Sequence, residues 1–165
     1  MARYETTIET AGLQVNRAFA HLSDFTSAQD WDPGVIRADR NDRGAIRVGS
    51  TFDLVASFLG REIPLTYEIV ELSPNDRVVL RAENESVVSL DELRFTATDD
   101  GCAVTYRAQL DGKGWFRIMG PVLQQLFNRI GRTAEEGLAG YLERLADAGR
   151  AGTAPVEPVE GSSKR

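Results

Sequence analysis

Residues 115–145 read WFRIMGPVLQQLFNRIGRTAEEGLAGYLERL, and no other stretch of the chain sustains a helical period for so long. Phe116, Met119, Leu123, Phe127, Ile130, Ala134, Leu138, Tyr141 and Leu145 follow one another at steps of three or four, which lays an apolar stripe along one side of a helix. Asn128, Arg129, Arg132, Glu135, Glu136, Glu143 and Arg144 fall on the other side, which reads as a solvated face. A stripe of about seven turns needs an apolar surface of similar length to cover it, and the strand-like segments upstream can supply one only as a sheet. Near the front of the stretch, Gly112, Gly114, Gly120 and Pro121 interrupt the period. Proline has no amide donor, so the helix either starts afresh at Pro121 or kinks there; residues 115–119 then either cap the core or form a hinged turn that gates it.

Working back from that helix, residues 35–110 alternate apolar and polar positions in short runs divided by turn chemistry, the texture of an antiparallel meander. Phe52, Leu54, Ala56 and Phe58 share one strand face, as do Ile63, Leu65, Tyr67 and Ile69 on the next. Asp99-Asp100-Gly101 is the strongest hairpin signal, joining strands over 87–98 and 102–110. Upstream, residues 4–10 alternate as a strand. Two short helices follow: Asn16 is the expected N-cap of the first, and Thr26 with Gln29 the expected capping box of the second, before the turn Asp32-Pro33-Gly34.

A chain of 165 residues with 42% hydrophobic content is long enough for one domain with a sizeable core, here residues 1–147. Residues 148–165 carry Gly, Pro, Ala, Glu and Ser without period and are expected to be disordered. A net charge of −6 with dispersed arginines argues against nucleic acid as a partner. The single cysteine, Cys102, excludes an internal disulfide or a thiolate metal cluster, and the N-terminus has no signal-like apolar core; a cytoplasmic location without stable membrane insertion is expected. The one histidine, His21, lies at the edge of the first short helix without partners for a triad or a metal site. No glycine-rich phosphate loop joins a strand to a helix, so neither a metal nor a nucleotide or other cofactor is expected.

The order strand, two short helices, meander, long helix is an α+β pattern that closes most economically by wrapping the sheet around the last helix. Within it, Leu22-Ser23-Asp24-Phe25, Trp31-Asp32-Pro33-Gly34-Val35, Val48-Gly49-Ser50, Phe58-Leu59-Gly60-Arg61, residues 67–72 and Thr105-Tyr106-Arg107-Ala108 resemble the polyketide cyclase/dehydrase-like SRPBCC proteins of the START-like superfamily. The resemblance spans roughly residues 4–145. It implies a helix-grip fold: a curved antiparallel sheet of about seven strands around the C-terminal helix, with two short helices after the first strand. It also implies an apolar cavity between sheet and helix that holds a small molecule.

Strand parity proposes what lines that cavity. On the strand from Val87, the face chosen by Leu93 and Phe95 also carries Ser89 and Asp91; on the last strand Val104 selects Cys102, Tyr106 and Leu110. A core-facing carboxylate costs several kcal/mol unless paired or solvated, so Asp91 either has a partner such as Arg or Tyr or stands in a wet pocket. Tyr67 and Tyr106 either offer hydroxyls to a ligand from the same surface or pack and bond locally. Asp91, Tyr67 and Tyr106 are thus the candidate catalytic groups. The expected ligand-binding set adds Trp31, Phe52, Leu54, Phe58, Leu65, Ile69 and Leu80 from the first half of the chain. Ser89, Leu93, Trp115, Leu123, Phe127 and Ile130 complete it. Trp31 serves equally as a core cap or as cavity wall.

Apolar lining in quantity and few groups able to act as acid, base or nucleophile favour binding of a small apolar or amphipathic ligand, such as a lipid or polyketide-like molecule. The alternative is a polyketide aromatase/cyclase or dehydrase in the same cavity, using Asp91 with Tyr67 or Tyr106 to move protons. A regulatory or co-chaperone-like module would instead have a filled interior and an exposed apolar patch.

Overall fold

The computed structural model describes residues 1–58, 60–117 and 120–152, and of positions 115, 116, 120, 121 and 123 the backbone alone. The chain forms β1 (Ala2–Ala11), α1 (Val15–Ser23), a 3₁₀ turn at Phe25–Ser27 and α2 (Ala28–Trp31). β2 (Val35–Arg40), β3 (Thr51–Phe58), β4 (Arg61–Ser73), β5 (Arg77–Glu83), β6 (Val87–Ala97) and β7 (Gly101–Gly112) follow, then a 3₁₀ turn at Gly114–Arg117 and α3 (Gly120–Ala151). The strands make one seven-stranded antiparallel sheet in the order β1-β7-β6-β5-β4-β3-β2. The meander therefore runs in chain order, and β1 joins beside β7, pairing Ala2 with Leu110 through to Ala11 with Gly101. Register shifts between Val35 and Arg37 and between Ile69 and Glu71 bend the sheet around α3. This is the expected α+β helix-grip architecture.

Alternation sorts the two sheet faces. On β6, Val87, Ser89, Asp91, Leu93 and Phe95 are buried while their neighbours are not; on β7 the buried set is Cys102, Val104, Tyr106 and Ala108. The outer face carries charge: Arg77 bonds Glu71 and Glu92, and Arg107 bonds Glu5 and approaches Glu92. Such solvent-facing, at most partly buried pairs stabilise by about 1 kcal/mol each, so the inner face holds the fold together. Its core joins Leu22, Phe25 and Trp31 of the short helical elements to Leu138, Leu142 and Leu145 of α3.

Two glycines let α3 approach its neighbours. A Cβ on Gly131 would stand 2.4 Å from the Tyr4 ring of β1, and one on Gly137 would stand 1.9 Å from the Trp31 carbonyl oxygen. Only a residue without a side chain fits at either point.

Two local expectations, both about helix caps, are corrected. The N-cap of α1 is Gln14, not Asn16, whose side chain instead accepts from the Arg17 amide. The second turn is capped by Asp24, which accepts from the Thr26 amide and hydroxyl, and not by a Thr26–Gln29 box; Gln29 accepts from the Ala38 amide across on β2. The main helix begins at Gly120, with Pro121 in its first turn where the missing amide removes no helical bond, and it continues to Ala151, beyond the periodic stretch. Ile118, Met119 and the side chains of Trp115 and Phe116 lie outside the described residues, as does the tail from 153, so the gate and the disordered tail keep the standing of expectations. Among the described residues no helix is long and apolar enough to cross a membrane.

Candidate functional site

The short helical elements cover one end of the inner sheet face, and the cover thins toward the β3–β4 hairpin. Along β4 the inward residues pass from fully buried Ile69 and nearly buried Tyr67 to half-buried Leu65 and Ile63. Between that uncovered half of the sheet and α3 lies a cavity of about 420 Å³, within the ~300–1,000 Å³ usual for small-molecule sites. Leu54, Leu65, Val87, Phe127, Ile130 and Ala134 supply much of its apolar wall.

At its buried end stands Asp91, only 3% exposed. Tyr106 donates its hydroxyl to Asp91 Oδ1 at 2.7 Å, and Ser89 donates to Oδ2 at 3.2 Å. Tyr67 in turn donates to Ser89 Oγ at 3.0 Å. The sheet register explains the reach. Tyr67 pairs with Ala82 and Ala82 with Ser89, so the small alanine leaves the phenol free to pass over β5 to β6. Tyr106 pairs with Leu93, one same-face position along β6 from Asp91, and meets it on the diagonal. Each phenol is held by an aromatic ring from the short helical elements. Trp31 stands edge-on to Tyr106 with centroids 5.5 Å apart, and Phe25 stands edge-on to Tyr67 at 5.2 Å.

Burial shifts every titratable group at this end. It raises the Asp91 carboxyl from the ordinary 3.8 to about 6, against the lowering effect of the hydroxyls that bond it. Burial, and then the nearby Asp91 charge, hold the Tyr67 and Tyr106 phenols well above their usual range. Asp32, which caps the turn after α2 by accepting from the Gly34 amide at 2.8 Å, also lines the cavity and is raised by burial. Among the described lining residues Arg61 is the one cation; it sits on the exposed rim beside Glu62.

Of the residues expected from strand parity, the cavity brings together Leu54, Phe58, Leu65, Tyr67, Ser89, Asp91, Tyr106, Phe127 and Ile130. Trp31, Phe52, Ile69, Leu80 and Leu93 are not among its lining residues: they belong to the core, at 0–2% exposure. Phe25 covers Phe52 directly, with centroids 6.4 Å apart, and Trp31 supports Tyr106 without lining the cavity. The side chains of Trp115 and Leu123 lie outside the described residues. Sequence reading passed over Tyr4, Asp32, Arg61, Glu62 and Ile63 as lining residues. Ile63 shares its alternating face with Leu65 and could have been found from that signal; Asp32 sits in a turn, where parity says nothing. Groups of three or more His, Cys, Asp or Glu that could hold a metal do not occur among the described residues.

Residues 1–143 match the family described as polyketide cyclase / dehydrase and lipid transport. No curated protein matches the chain by sequence similarity. Among solved structures, a START superfamily protein from Mycobacterium smegmatis is similar with a TM-score of 0.72 at 13% identity, over 88% of this chain and 99% of that one. The Zhui aromatase/cyclase from a Streptomyces species gives 0.64 at 14% identity, over 88% and 93%. The di-domain aromatase/cyclase StfQ of the steffimycin biosynthetic pathway gives 0.68 at 20% identity over 92% of this chain, which spans about half (52%) of that protein. At these identities the likeness is one of fold.

Proposed function

The chain belongs to the polyketide cyclase/dehydrase and lipid transport family, and we propose that within it the protein binds a small apolar or amphipathic molecule, as a carrier or sequestering protein, between the sheet and α3. The observation that carries this reading is the cavity itself: about 420 Å³ with mostly aliphatic and aromatic walls and a few polar groups gathered at one end. A module acting only through its surface would be expected to fill that space.

A ligand of the native state stabilises it by mass action, by about 2.7 kcal/mol at a hundred times Kd. For a domain of this size that corresponds to roughly 5–10 °C in melting temperature. A thermal-shift panel of sterols, long-chain alcohols, aromatic polyketides and the neutral dye Nile red is expected to contain at least one such stabiliser. Absence of any shift across the panel would overturn the reading.

One observation favours a second reading, an aromatase/cyclase or dehydrase. A buried carboxyl brought to about 6 and bonded to two hydroxyls is suited to exchange protons near neutral pH. The structurally similar Zhui and StfQ proteins are aromatase/cyclases. Turnover of a poly-β-ketone that Asp91→Asn abolishes, with binding retained, would replace the carrier reading by this one.

A further inference from the structure

The polar end of the cavity has a direction, and the direction selects the ligand. An ionised carboxylate only accepts hydrogen bonds, so Tyr106 and Ser89 must both donate to Asp91. Ser89 has one proton, now committed, so the Tyr67–Ser89 bond must be donated by Tyr67. Tyr4, the remaining hydroxyl of the inner wall, donates to Glu135 on α3. Asp32 contributes a carboxylate with one oxygen occupied by the Gly34 amide. Every interior hydroxyl proton among the described lining residues is therefore directed at protein acceptors, and what faces the space is lone pairs. The polar groups that could donate, Ser57, Arg61 and Ser86, sit on the exposed rim.

We infer that the cavity prefers a ligand whose buried end donates hydrogen bonds and bears no negative charge, a phenol or alcohol, over one whose buried end is a carboxylate or only accepts. This rests on the binding role proposed above. The physical reason is asymmetric. A donor finds carboxylate and phenolic oxygens waiting, and a bond to a charged acceptor is among the strong ones. A ligand carboxylate would have to lose its water beside Asp91 and Asp32 with no interior cation to meet it. An ether or ketone would bring one more acceptor to a cluster whose protons are already committed, and would gain no bond there.

Three probes with one tail separate these heads: para-hexylphenol, para-hexylanisole, in which the donor is methylated, and para-hexylbenzoate. Each would be titrated into the whole protein near neutral pH by displacement of Nile red. The phenol is expected to bind about tenfold to a hundredfold more tightly than the anisole, the range set by one hydrogen bond to a charged group, and the benzoate most weakly. Equal affinity of phenol and anisole, or tightest binding of the benzoate, would overturn the inference while leaving an apolar ligand site in place. Failure of the dye and all three probes to bind would overturn the underlying binding role as well.

Asp91→Asn sharpens the test, because it reverses the chain. The new amide donates to Ser89 instead of accepting from it, so the cluster gains donors that the carboxylate lacked and at least one proton is left to face the cavity. The variant should bind the anisole better than the native protein does and the phenol less well. An unchanged ranking in a folded variant would contradict the assignment; the native phenol-to-anisole ratio decides the matter should the variant not fold.

Discussion

Replacing Asp91 by Asn should remove a specific pH dependence of stability, and its size follows from the burial of one carboxyl. In the folded protein the group titrates at about 6 against an ordinary 3.8. Its folded-state value is raised, so the native state holds the proton more tightly than the unfolded chain. The stabilisation linked to that proton is complete below the unfolded value and is lost as pH rises through about 6. The whole span amounts to about 3 kcal/mol at 1.36 kcal/mol per unit, and the part lost between pH 5 and pH 7 to about 1 kcal/mol. Several other carboxylates act in the opposite sense: Glu83, bonded by Lys113 and Arg81, is held down to about 2, the Arg40 bond lowers Asp42, and the Thr66 hydroxyl lowers Asp53. They are common to both proteins, so urea unfolding of native and Asp91→Asn chains at the two pH values isolates the Asp91 share as a difference of differences. The native protein should gain about 1 kcal/mol relative to the variant on going from pH 7 to pH 5. Parallel behaviour of the two would mean that Asp91 is solvated, and the account of a buried, acceptor-only cavity end would fall with it.

Gly137→Ala forces a methyl group against the Trp31 carbonyl oxygen, where the ideal position is 1.9 Å away, so the gain in helix propensity is outweighed and a net loss of about 1–3 kcal/mol is expected. Urea unfolding measures it, and a neutral or stabilising result would show that α3 does not depend on this close approach. Ile130→Trp should fill the cavity from the α3 side, weakening Nile red binding at least about tenfold. The unfolding free energy should change by no more than about 1.5 kcal/mol, and intact dye binding in a folded variant would move the site elsewhere.

The inner face of each strand is legible from alternation alone, which is why the sequence singles out Asp91, Ser89, Tyr67 and Tyr106. Parity identifies a face, but it does not say how far along the strand the cover extends. Phe52, Ile69, Leu80 and Leu93 share the face of Leu54 and Leu65, yet they are packed in the core while the latter two line the cavity. That division is set by where Phe25 and Trp31 come to rest, a tertiary fact with no local signature. Asp32 escaped for a related reason, since turn chemistry accounts for it fully: its side chain bonds the Gly34 amide in an Asx-type turn, and only the fold turns it toward Asp91. Gln14 at the start of α1 shows the limit of capping rules, because it caps without a side-chain bond and a reading based on Asn or Ser passes it over.

Methyl-selective NMR of the whole protein titrated with para-hexylphenol tests the central claim most directly, because it asks where an apolar ligand with a donating head goes. Saturable shifts of the Leu54, Ile63, Leu65 and Ile130 methyls, with Leu22 and Leu142 of the core unmoved, are the predicted result. Shifts confined to exposed methyls such as Ile36 and Val48, or none at ligand saturation, would contradict it.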